Sequence, residues 1–110
     1  MRNSMRLFLL AMTALLTINV IAAETPPIVD AARHQDTVML KHLLNAGSDP
    51  DTQQADGATA LHWAVYHENI DAVASLIEAD SNVDAVNRLG ASPLYLAAKN
   101  GSANLIELLL

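Results

Sequence analysis

Asp56-Gly57-Ala58-Thr59-Ala60-Leu61-His62-Trp63-Ala64 reads as a polar turn that hands over to a helix. Asp-Gly is a turn-forming pair. Thr59 stands where its hydroxyl can accept from a free backbone N–H of the first helical turn, and this predicts a helix over about residues 60–67. A second helix is predicted over about residues 70–79, capped by Asn69, because Val73, Leu76 and Ile77 fall on one stripe of a 3.6-residue period. The two helices should pack antiparallel, with Ala64, or Ala97-Ala98 at the corresponding place further on, small enough to let neighbours approach.

The same pattern recurs 33 residues further on as Gly90-Ala91-Ser92-Pro93-Leu94-Tyr95-Leu96-Ala97-Ala98. Ser92 is the cap, Pro93 takes the first helical position where a missing N–H costs nothing, and Asn100-Gly101 turns the chain. The shift also aligns Ala31, Ala64 and Ala97; Leu40, Val73 and Ile106; Leu43, Leu76 and Leu109; and Leu44, Ile77 and Leu110. Turn residues follow the same step, Gly57 with Gly90 and Asp51 with Asp84. Polar segments from Gly47-Ser48-Asp49-Pro50 to Asp56-Gly57, and from Asp80-Ser81-Asn82 to Leu89-Gly90, read as projecting hairpin-like loops.

A period of 33 with capped helix pairs, and the stretches Gly57 to Ala64 and Gly90 to Ala98, resemble the ankyrin repeat. The resemblance extends from about Pro26 to Leu110, as repeats of about 26–55, 56–88 and an incomplete 89–110. It implies an all-α solenoid of antiparallel helix pairs with projecting hairpins and a concave face that binds proteins. Gly57, Thr59, Leu61, His62, Ala64, Gly90, Ser92, Pro93, Leu94 and Ala97 match the family's structural signature. Thr59 and His62 match the hydrogen-bonding pair that staples one repeat to the next; Ser92 and Tyr95 replace that pair in the third copy. Asp80 stands where Gly47 stood, at a helix end that favours a left-handed backbone. The first copy, Pro27-Ile28-Val29-Asp30-Ala31-Ala32, lacks the signature, as a capping unit would.

Residues 1–23 carry Arg2 and Arg6, run apolar from Leu7 to Leu16 and close on Ala22 and Ala23, the order of a secretory signal peptide. Cleavage is expected after Ala22 or Ala23, leaving a domain of residues 24–110 that is periplasmic or secreted; the alternative is an uncleaved membrane anchor. Cleavage removes two basic and no acidic side chains, leaving 4 against 12 and a net charge of −8. Such a surface repels phosphate backbones, which argues against nucleic acid as a partner. At the other end Leu108-Leu109-Leu110 falls inside the expected last helix without a polar cap, and solenoids need capped ends. The pattern therefore reads as the front of a longer repeat protein, the alternative being a genuine stop with a weakly stable or dimerising product.

Chemistry finds little purchase. The chain has no cysteine, which excludes disulfides and thiolate chemistry. His62 and His67 lie five apart, on different helix faces, so no metal site is expected; nor is a cofactor or a small-molecule substrate. Asp49, Asp51, Asp80 and Asp84 fall in turns, where Asp bonds its own backbone, rather than in a catalytic pair. The four glycines are scattered, so there is no phosphate loop, and the expectation is a non-enzymatic chain. Trp63, Tyr66 and Tyr95 are the candidate partner contacts, since aromatic side chains dominate interface energies; the alternative is that they cover the helix pair. The hairpin residues Gln53, Gln54, Ala55, Asn87, Arg88 and Leu89 complete the set, because projecting loops carry recognition. The expected function is binding of a partner protein, or service as the targeting or inhibitory arm of a longer protein.

Overall fold

The computed structural model describes residues 25–110; the segment read as a signal peptide lies outside the described residues. Six helices follow one another as α1 (Pro27–Arg33), α2 (Thr37–Asn45), α3 (Ala60–Tyr66), α4 (Ile70–Glu78), α5 (Pro93–Asn100) and α6 (Ala103–Leu109). They form three pairs. The first helices α1, α3 and α5 pack side by side in one layer, and α2, α4 and α6 in another. Among the described residues there is no strand, and none of the helices is long and apolar enough to cross a membrane.

Every second helix starts on a side-chain cap at the same register. Asp36 accepts from Met39 N–H at 3.0 Å, Asn69 from Ala72 N–H at 3.2 Å and Ser102 from Leu105 N–H at 3.4 Å. Ser92 caps α5 through Tyr95 N–H, as its place before Pro93 predicts.

The helix ends repeat just as closely. After each first helix an N–H reaches back five residues: Asp36 to Ala31 at 2.8 Å, Asn69 to Ala64 at 2.9 Å and Ser102 to Ala97 at 3.1 Å. That closure needs a left-handed residue one step earlier, and the chain supplies Gln35 at φ 58°, Glu68 at φ 54° and Gly101 at φ 70°. The second helices close in the same way through Ser48 to Leu43 and Ser81 to Leu76. Here Gly47 sits at φ 90° and Asp80 at φ 62°, so Asp80 adopts the glycine conformation its register demands.

Burial follows which neighbouring copy a position faces. Ala31, Ala64 and Ala97 lie at the contacts between first helices and are buried, as are Leu40, Leu61, Val65, Val73 and Leu76. Two packing expectations need correction. Ala98 is exposed and Ala97 buried, whereas the counterparts Ala32 and Val65 are buried, each facing the copy that follows. In α6 the fully buried residue is Leu105 rather than Ile106, and Leu110 stands in solvent after the helix.

Gly57 does two things no other residue could. Its φ is 85°, and a Cβ there would lie 3.3 Å from Asn87 Cα of the next loop. Gly57→Ala should therefore destabilise the fold by about 2 kcal/mol, whereas Asp80→Gly, which relieves a strained backbone with open solvent around it, should stabilise by about 0.5–1 kcal/mol. Urea denaturation followed by circular dichroism checks both signs; a loss of stability in Asp80→Gly would contradict the strain argument.

Candidate functional site

The platform of the site is built by His62, at the third position of α3 and only 3% exposed. Its Nδ1 accepts the backbone N–H of Thr59 at 3.1 Å and lies 2.9 Å from the Thr59 hydroxyl. Because Nδ1 accepts an N–H, the ring proton belongs on Nε2, which donates to the carbonyl of Ala91 in the next copy at 2.9 Å. The expected capping role of Thr59 is thus shared, with the ring reaching back to its own helix start. In the third copy Tyr95 at the same register is 56% exposed, and the staple is not repeated.

One residue beyond His62, the indole of Trp63 packs half-buried against the core. Its Nε1–H donates to Gln54 Oε1 at 2.9 Å, and Gln54 Nε2 donates in turn to Asp56 Oδ1 at 2.8 Å. The same carboxylate oxygen accepts Ala58 N–H at 3.0 Å. Loop and helix are thereby locked together. Tyr66 stands edge-on to Trp63 with ring centroids 5.7 Å apart, and His67 lies 6.0 Å from the indole in a near-parallel plane, its Nε2 donating to Arg33 carbonyl at 2.8 Å. Between loop and helix opens a groove of about 300 Å³, lined by Gln54, Asp56, Trp63, Tyr66, Asn87 and Leu96 among others. A second hollow, bordered by Asn87, Leu89, Tyr95, Leu96 and Lys99, adjoins it.

A family model of ankyrin repeats, in three copies, matches residues 28–110. The chain belongs to the ankyrin-repeat family. Neurogenic locus notch homolog protein 1 of Xenopus tropicalis is 38% identical over 66% of the chain, and inversin of Canis lupus familiaris is 38% identical over 70% of it. Nuclear factor NF-kappa-B p105 subunit of Mus musculus is 44% identical over 61%. The chain spans 3%, 7% and 7% of the lengths of these relatives.

On this ankyrin stack the residues singled out in the sequence fall into three groups. Gln54, Trp63, Tyr66 and Asn87 line the first groove, and Asn87, Leu89 and Tyr95 the second. Gln53 and Arg88 are exposed on the loops and line neither. Asn87 serves its own turn, its Oδ1 accepting from Leu89 and Ala91 N–H at 3.0 Å each. Sequence reasoning passed over Asp56, Leu96 and Lys99. Leu96 and Lys99 were within reach of the period, since they lie 33 residues after Trp63 and Tyr66. Among the turn carboxylates, Asp49 Oδ1 accepts Asp51 N–H at 2.9 Å, while Asp51 Oδ1 reaches across to Asn82 N–H at 2.7 Å and ties neighbouring loops.

Hydrogen bonds from Ala58 N–H and then from the Gln54 amide hold the Asp56 carboxyl below its ordinary value of 3.8. A depressed folded-state value contributes stability that is fully present above 3.8 and is lost as pH falls through the lower folded value. Asp56→Asn keeps an oxygen for Ala58 N–H but carries no charge. Its urea midpoint should fall less than that of the parent between about pH 5 and pH 3; superimposable profiles would show that the carboxylate is not linked to folding.

Proposed function

We propose that the chain is a non-catalytic binding module that holds a partner protein on the face made by α1, α3, α5 and the loops. Repeat stacks of this kind offer extended binding surfaces, and ankyrin repeats are generally protein–protein interaction modules. One observation carries the reading. Tyr66, Tyr95 and Leu89 are 60%, 56% and 93% exposed along two adjoining hollows, on a scaffold locked by Gln54 and His62. Large apolar side chains exposed together beside rigid hollows mark interaction sites. The acidic balance, a net charge of −6 for the whole chain, speaks for a protein rather than nucleic acid as partner.

The module works outside the cytoplasm in this reading, periplasmic or secreted, on the strength of residues 1–23. A second reading makes the repeats the targeting or inhibitory arm of a longer protein. Its support is that the relatives carry the matching segment within far longer chains.

Benzoylphenylalanine placed at Tyr66 and Tyr95, and for comparison at Lys41 and Glu78 on the other layer, tests the docking face. A partner crosslinked from the first pair and absent from the second is expected; equal crosslinking from both layers would defeat the proposal. Amino-terminal sequencing of the recovered protein should start at Ala23 or Glu24, and an intact Met1 start in the cytosol would refute export.

A further inference from the structure

The groove beside Trp63 has an unusual lining: aromatic and apolar walls with a single charged group, Asp56. Both hydrogen bonds to that carboxylate fall on Oδ1, and among the described residues none falls on Oδ2. The amide of Gln54 holds indole and carboxylate one side chain apart, which fixes their relation before any ligand arrives. We propose that this groove takes the cationic side chain, lysine or arginine, of a basic segment of the partner protein, its methylene stem on Leu96 and Trp63 and its charged head at Asp56 Oδ2.

The argument is one of charge and desolvation, and it rests on the docking face proposed above. Asp56 is exposed, so an apolar occupant laid over its carboxylate would take a hydrated charge out of water and give nothing back, which is costly. A cation answers the carboxylate directly and gains from the negative faces of the aromatic rings. Burial of the long stem of lysine or arginine suits a groove of about 300 Å³ with apolar walls. The carboxyl is kept ionised by its bonds to Ala58 and Gln54. Lys99 lies in the adjoining hollow beside Tyr95, so a cation is favoured at the Trp63 groove and disfavoured next to it. The chain's net charge of −6 draws basic segments from a distance.

Trp63 is the single tryptophan, so its indole N–H resonance reports on this groove alone. The probe is an acetylated, amidated glycine–serine peptide carrying arginines and lysines, titrated into the ¹⁵N-labelled chain beside a neutral counterpart with citrulline and norleucine in their places. The basic peptide should shift the resonance saturably, and the neutral one should bind at least about tenfold more weakly. Asp56→Asn, with its folding checked by circular dichroism, should weaken the basic peptide by a similar factor. Equal binding of the two peptides, no shift with the basic one, or full affinity in folded Asp56→Asn would each overturn the proposal. Crosslinking of the partner at Tyr66 and Tyr95 decides the docking face separately. That pattern together with indifference to charge would leave the face standing and remove only the cationic ligand.

Discussion

The imidazole of His62 joins the start of α3 to the loop of the copy that follows, through one nitrogen that accepts and one that donates. Three short helix pairs have no long-range sheet or disulfide to hold them, and each copy touches only its neighbours. Bonds that cross from copy to copy therefore decide whether the stack behaves as one body. His62 is buried, so a failure to satisfy either nitrogen would leave a polar atom stranded, at about 1–3 kcal/mol. Other links support it: Asn69 to the Thr37 hydroxyl, Arg88 N–H to Asp56 carbonyl, Asn82 N–H to the Asp51 carboxylate. The Lys41–Asp71 pair at 2.9 Å also joins two copies, but it is exposed and contributes little.

Because that staple sets the loop over α3, it also shapes the groove. Ala91 lies just past Asn87, whose turn borders both hollows, while Gln54 holds Trp63 from the other side. The proposed binding face and the fold thus share residues. A side chain such as Gln54 stabilises the loop and positions the indole at once, so the surface is organised before a partner arrives and less ordering is needed on binding.

Much of this was legible because the 33-residue shift compares like with like: Asn69 and Ser92 stand as the expected caps, Pro93 takes the first helical position, and the helices α3 and α4 end within a residue of the expected positions. What escaped was context. The shift treats Ala97 and Ala98, or Leu105 and Ile106, as equivalents of earlier residues, yet burial depends on whether a neighbouring copy is there to face. Gln35 and Glu68 hide their left-handed backbone because neither is a residue one associates with it, and only Gly101 at the same register betrays the position. Trp63 and Tyr66 could be picked from the signature helix. The link from Trp63 through Gln54 to Asp56 could not, since it exists only once the loop folds back on the helix.

The period also explains how one scaffold carries a distinctive surface. Positions three apart on the first helices share one register from copy to copy: Asp30 and Arg33 in α1, Trp63 and Tyr66 in α3, Leu96 and Lys99 in α5. Their backbone is the same in each copy, but their chemistry is not. The first pair closes on itself as an ion pair at 3.2 Å, the second is an edge-to-face aromatic pair, and the third joins an apolar side chain to a cation. Packed helices lie about 8–10 Å apart, so three different patches succeed one another at that spacing. A partner that satisfies one patch must meet the next in the right order. On the proposed face, recognition would reside in the sequence of patches across the copies, while the alanines and leucines at the repeated core positions are free to remain alike.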